Sequence, residues 1–236
     1  MDGSAVVIGA TGGVGRALVQ ALVAGGAFET VWAVSRSGAG MDGAQALTAD
    51  LEDEAGLADA SARIAQGPPP TRIIVATGVL HDGHQPERSL RELEAEHLLR
   101  DYRINAVGPA LAARRLLPLM PRDRRAVFAA LSARVGSIGD NRLGGWHSYR
   151  ASKAALNMIL RNLAIEMARS HPMAVIAGLH PGTVDTDLSA PFQKGVAPER
   201  LFTPAYSAER LLAVMEGLQP ADSGGVFAWD GARIPA

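Results

Sequence analysis

Short continuous apolar runs alternate with helical patterns along this chain, and no other feature narrows its fold so far. The runs fall at 5–8, 30–34, within 43–51, and at 72–78, 126–131, 173–180 and 224–230. Helical periodicity fills the intervals at about 16–26, 52–66, 87–121, 148–170 and 205–217. A strand followed by a helix and another strand closes most simply as a parallel crossover. The runs lack period-two alternation, which predicts strands buried on both faces. The expectation is an α/β fold: a doubly wound, seven-stranded parallel sheet flanked by helices, in one domain over 1–236. Gly67-Pro68-Pro69-Pro70 lies between a helix and a strand and reads as a loop.

Bulk properties exclude several function classes. The formal net charge is −1, so no basic field argues for nucleic acid or an anionic membrane. No cysteine is present, which removes disulfides and thiol catalysis and suits a cytoplasmic protein. No apolar run reaches the ~18 residues of a membrane span. The opening MDGSAVVIGATGG lacks a basic segment followed by an apolar one, so no signal peptide is expected.

The first apolar run enters a turn rich in glycine. Gly9, Gly13 and Gly15 carry it, with Thr11, Gly12 and Val14 between them, and a helix follows at once. Glycines there let the backbone approach a pyrophosphate, while the helix N-terminus offers N–H donors and a positive dipole end. The second strand ends in Ser35-Arg36, with no carboxylate between Glu29 and Asp42. A dinucleotide fold that prefers NAD(H) usually places an acid there for the ribose hydroxyls. Arginine suits a 2′-phosphate, so NADP(H) is expected over NAD(H); the alternative is a solvated loop arginine. Asp50, beside Leu51, is open between accepting from an adenine amino group and starting the next helix.

Tyr149 and Lys153 stand at i and i+4 in SYRASK and share one helix face. A phenol with a pKa near ~10 is a poor proton donor at neutral pH, and an adjacent ammonium favours its ionised form. That spacing can make a general acid and base.

These pieces occur together and in order: the Gly9–Gly15 turn, Asp50-Leu51, Gly78, Asn105 in INAVGP, YRASK, and HPGTVDT at 180–186. In this the chain resembles the classical short-chain dehydrogenase/reductase family. The stretches SARVGSIGDNRLGGWHSYRASKAALN, LHPGTVDTDLSAPF and FAWDG resemble its C-factor-like and sniffer-like carbonyl reductase branch. The resemblance implies a Rossmann-type fold and hydride transfer between NADPH and a carbonyl or secondary alcohol. It implies that Tyr149 is the general acid and base, and that Lys153 lowers its pKa and binds the nicotinamide ribose. Asn105 would hold a proton-relaying water; without the family match it reads as a helix amide bonded to backbone. Pro181, Gly182, Val184 and Thr186 would flank the nicotinamide. A homo-oligomer, dimer or tetramer, is implied through the helices near 87–121 and 148–170.

The chain also departs from the family. Val75-Ala76-Thr77-Gly78 replaces its usual Asn-Asn-Ala-Gly. Family enzymes place a carbonyl-binding serine after the fifth strand, and alignment on Gly136 puts Ala133 there. Ser132, one position early, is the preferred substitute, and Ser137 is the other. The segment 183–204 carries Leu188, Phe192, Leu201 and Phe202 and is expected to be a substrate lid. His81, Asp82 and His84 form a polar loop, with no metal expected. His147, Trp146 and His180 are expected as pocket wall. The competing reading is an NADP(H)-binding signalling or sensor module with little turnover.

Overall fold

A computed structural model describes residues 3–81 and 83–236. Ten strands occur in chain order: β1 (Ser4–Ile8), β2 (Thr30–Ser35), β3 (Gln45–Thr48), β4 (Pro70–Val75), β5 (Ala126–Leu131), β6 (Ala174–His180), β7 (Thr183–Val184), β8 (Leu201–Phe202), β9 (Val226–Ala228) and β10 (Arg233–Ile234). The helices are α1 (Gly13–Gly25), α2 (Glu54–Ile64), α3 (Ala95–Tyr102), α4 (Gly108–Leu116), α5 (His147–Met167) and α6 (Pro204–Gly217).

The main sheet runs β10-β9-β6-β5-β4-β1-β2-β3. All its pairings are parallel except β9 with β10. The expected seven parallel strands are present. The eighth is a correction: Ala228 N–H donates to Ala232 across a turn with Gly231 at φ 84°, folding the chain back so that Ile234 is buried. A two-residue strand is too short to leave a periodicity. The pair β7–β8 forms a separate ribbon within the expected lid.

Both faces of the sheet are packed. Val6, Ile8, Ile73, Val75, Phe128 and Ala130 face one apolar core; Ala5, Val7, Ile74, Val127 and Ala129 face the other. Alternate residues thus serve opposite cores, and both sets are buried, so the runs read as unbroken apolar sequence.

The helical stretch expected over 87–121 begins later and is interrupted. Residues 83–94 are mostly loop, and a π turn spans Arg103–Val107 between α3 and α4. Pro109 has no N–H to donate back along the helix, and Gly108 bonds to the Arg103 carbonyl five residues earlier. A Cβ on Gly108 would lie 2.9 Å from the Leu51 Cβ, so α4 starts hard against that side chain.

Candidate active site

The C-terminal ends of β4, β5 and β6 open on a cavity of about 1030 Å³. Its wall includes Gly12, Gly13, Val14 and Arg36 on one side and Tyr149 and Lys153 on another. In an open parallel sheet this is where the strand order reverses and ligands bind.

The glycine turn is shaped by two positions. Gly9 has φ +85° and donates to the Val34 carbonyl at 2.9 Å. A Cβ on Gly15 would collide with the Gly9 carbonyl oxygen, so only glycine lets α1 start so close to the strand. The cap residue Gly12 offers no side chain to the first turn of α1, and that turn contains no acid. Its N–H groups and dipole are therefore available to an anion. Gly13 lets the turn pack directly against Thr186, into which a Cβ there would run. These features fit a dinucleotide pyrophosphate. Arg36 is exposed at the cavity edge and forms no ion pair among the described residues.

Other expected cofactor residues fall into two groups. Gly78, Pro181, Gly182, Val184 and Thr186 line the cavity. Gly9, Thr11, Gly15, Ser35, Asp50 and Leu51 do not. Thr11 is exposed at the turn, and Ser35 is buried in β2 with its hydroxyl 3.4 Å from that of Ser37. Asp50 accepts from the Glu52 N–H at 3.0 Å in the turn before α2, whose cap is Asp53, and Leu51 belongs to the core.

Tyr149 and Lys153 lie on the buried face of α5, as their spacing predicts. The Lys153 ammonium donates to the Leu131 carbonyl at 2.8 Å and stands 5.8 Å from the Tyr149 ring centroid. Burial lowers the Lys153 pKa to about 8, opposed by the charge of Asp101. Burial also pushes the Tyr149 phenol well above its ordinary value, and Asp101 adds to the rise. The Lys153 ammonium is directed at a backbone carbonyl, and desolvation of the phenolate sets the direction of the Tyr149 shift.

Of the two candidate serines, Ser132 lines the cavity; it is buried, and its hydroxyl donates to Asn157 Oδ1 on α5 at 2.6 Å. Ser137 accepts from the Asp140 N–H at 3.1 Å and lies outside the cavity wall. The side chain packed on Tyr149 and Leu80 at this point is the methyl of Ala133. Asn105 accepts from Val79 N–H and donates to Val79 C=O, both at 2.9 Å, and donates to Ser152. It clips the helix to the loop after β4.

Sequence reasoning missed what holds the start of α5. Glu87 is buried, accepts from the Ser148 N–H at 3.1 Å, and accepts a short bond from the Ser148 hydroxyl. Its own carbonyl accepts from Trp146 N–H at 2.5 Å. Burial opposes charge on Glu87, but the Ser148 bonds and nearby His84 outweigh it and hold the acid below its usual range. Trp146 sits at φ 49°, a left-handed conformation unusual for a large side chain, after two glycines that share it. Its ring meets Tyr149 edge-on, with centroids 6.2 Å apart, and meets Phe192 of the 181–204 segment at 5.0 Å. No local pattern signals Glu87, because Ser148 is 61 residues away.

The two loop histidines point apart. His81 lies 3.0 Å from the Asp187 carbonyl, while His84 lies 3.6 Å from Asp101. Asp82 falls outside the described residues. Among the described residues no cluster of three or more His, Asp or Glu is placed to hold a metal. His180 lines the cavity, and burial, aided by Arg134, takes its pKa down to about 4. No described helix is long and apolar enough to cross a membrane.

Comparison with known proteins bears on these features. A family model described as short chain dehydrogenase matches residues 4–197. C-signal of Myxococcus xanthus is 33% identical over 147 residues, covering 62% of this chain and 83% of that protein. An uncharacterised oxidoreductase of Schizosaccharomyces pombe is 31% identical over 144 residues, and the chain spans only 56% of that protein's length. Two solved structures share the fold with a TM-score of 0.84 each. The carbonyl reductase Sniffer of D. melanogaster is 22% identical, with 100% of both chains covered. An NADPH-bound carbonyl reductase from chicken fatty liver is 24% identical, with 99% of this chain and 94% of the other covered.

Proposed function

The chain belongs to the short-chain dehydrogenase family, and from that premise we propose that it is an NADPH-dependent reductase of carbonyl compounds, able to oxidise secondary alcohols in reverse. One observation carries this reading: the glycine turn and the Tyr149–Lys153 pair open on the same cavity. The turn and the first turn of α1 would hold the pyrophosphate, Arg36 the 2′-phosphate, and Lys153 the nicotinamide ribose. Pro181, Gly182, Val184 and Thr186 would flank the nicotinamide. When bound, the cofactor supplies the hydride that reduces the carbonyl carbon.

The chain's own residues supply the proton and the enclosure. Tyr149 would give its phenol proton to the carbonyl oxygen as negative charge develops there. Lys153 replaces the proton on Tyr149. Leu188, Phe192 and Val196 bring the 183–204 segment onto the cavity as a lid that excludes water. Trp146, Leu80 and Phe192 give the substrate end an apolar wall. Leu99 and Tyr102 of α3, and Met158 and Ile165 of α5, are exposed apolar side chains that support a homo-oligomer through those helices.

A second reading, an NADP(H)-binding signalling module with little turnover, draws on Ala133. A methyl there removes one donor from the carbonyl.

The cofactor assignment is tested by thermal melts titrated with NADPH and with NADH. A ligand that binds only the folded state raises the melting temperature. NADPH is expected to act at much lower concentration than NADH. Arg36→Ala is expected to weaken NADPH about 10- to 100-fold and leave NADH nearly unchanged, as for the loss of a charge-assisted contact. Equal affinities in the wild type would overturn the 2′-phosphate assignment.

A further inference from the structure

Trp146 is the largest side chain of the cavity wall, and its backbone and its ring are both pinned. Among the described residues it is the one non-glycine residue with a positive φ. Such a conformation persists where the surroundings over-determine it, and it concentrates at functional sites. Here its N–H donates to the Glu87 carbonyl at 2.5 Å, and its carbonyl accepts from the Arg150 N–H at 2.8 Å. The Arg150 side chain donates to the carbonyl of Gly145, just before it, at 3.0 Å. The ring stands edge-on to Tyr149 at 6.2 Å and to Phe192 at 5.0 Å between centroids. Aromatic rings at such separations are in contact, so no alkyl group fits between Trp146 and either neighbour. Phe192 is itself braced from the far side. The His81 ring lies 5.8 Å from it, His81 Nε2 lies 3.0 Å from the Asp187 carbonyl, and the Phe192 N–H donates to the Ser189 carbonyl at 2.8 Å. Leu80, Ala133 and Val135 complete the same apolar cluster around Tyr149.

We propose that Trp146, backed by Phe192, is a specificity-determining residue: a fixed stop beside Tyr149 that limits one substituent of the substrate carbonyl to hydrogen or methyl. The substrates are then aldehydes and methyl ketones. The inference rests on the reading of Tyr149 as the proton donor. For that transfer the carbonyl oxygen must come within about 2.6–3.2 Å of the Tyr149 hydroxyl. The two substituents of the carbonyl carbon then diverge. One of them meets the wall of Trp146, Phe192 and Leu80, where Ala133 presents only a methyl. The rest of the cavity takes the larger one. The stop does not yield as a mobile side chain would, because Glu87 and Arg150 hold the Trp146 backbone and Phe192 covers its ring. A pocket of this kind discriminates by the bulk it excludes, and one methylene is worth about 10- to 200-fold.

The test measures kcat/KM with NADPH for acetophenone and valerophenone, which share a phenyl group and differ in a methyl against a butyl substituent. Wild type, Trp146→Ala and Phe192→Ala are compared. The wild type is expected to prefer acetophenone by about tenfold or more. The valerophenone-to-acetophenone ratio is expected to rise about 10- to 100-fold in Trp146→Ala, and to rise less, in the same direction, in Phe192→Ala. A ratio within one protein is unaffected by how much of that protein is folded, so a general loss of activity does not imitate the effect. A wild type that prefers valerophenone overturns the proposal, as does a ratio that stays the same in both variants. A wild type that reduces neither ketone sinks the reductase reading instead, and thermal melts with the two ketones then decide the role of Trp146 without turnover. Acetophenone is expected to raise the wild-type melting temperature at lower concentration than valerophenone, with the order reversed in Trp146→Ala. The same order in both proteins overturns the stop.

Discussion

At the scale of single residues, the site pairs groups that the sequence displays with groups that it hides. The i, i+4 geometry of a helix puts Tyr149 and Lys153 on one face whatever surrounds them, so their pairing is legible from spacing alone. The direction of the Tyr149 shift is not legible, because it depends on burial and on Asp101. The 132–133 pair shows the same limit. Ser132 has the right chemistry for a carbonyl donor, but β5 turns its hydroxyl to Asn157 and leaves Ala133 against Tyr149. Ser132→Ala is therefore expected to lower stability by about 1–3 kcal/mol, by stranding the Asn157 oxygen, and to leave kcat/KM of the folded protein nearly unchanged. Ala133→Ser is expected to raise kcat/KM for carbonyl reduction about tenfold, a fraction of what one added oxyanion donor can give. Denaturant melts and steady-state kinetics on the two variants check both statements. A large loss of kcat/KM in Ser132→Ala would return Ser132 to the reacting centre.

At the scale of elements, the strands were readable because burial on both faces leaves unbroken apolar runs. The helices were readable in their middles and less so at their ends. Helix α3 starts at Ala95 because residues 83–94 are drawn across the start of α5 by Glu87 and Trp146. That attachment connects loop and helix over 61 residues, beyond any local pattern. The π turn at Arg103–Val107 had a visible cause in Pro109, yet a helical periodicity survives one extra residue. Glu87 acts as a distant N-cap for the helix that carries Tyr149. Glu87→Ala is expected to cost about 2–3 kcal/mol, the scale for hydrogen bonds to a buried charge. Urea denaturation of the variant measures this, and a loss below ~0.5 kcal/mol would show that α5 holds its start without the acid.

At the scale of the whole molecule, the parallel sheet brings segments far apart in sequence to one edge. The glycine turn after β1, Arg36 after β2, Gly78 after β4, Ala133 after β5 and Pro181 after β6 all reach the same cavity. That convergence follows from strand order, which the alternation of strands and helices already implied. The filling of the cavity did not follow, since the Trp146–Phe192 contact depends on a left-handed residue and a segment folding back from 181–204. The account's central claim is that this convergence performs carbonyl reduction with Tyr149 as the proton donor. The most direct measurement follows NADPH oxidation at 340 nm against a panel of apolar aldehydes and ketones, for wild type and Tyr149→Phe. The account predicts turnover by the wild type and a loss of about 10²–10⁴-fold in the variant, the usual contribution of a positioned acid, with NADPH binding retained. A wild type that binds NADPH without consuming it, or a variant that turns over as fast as the wild type, would contradict it.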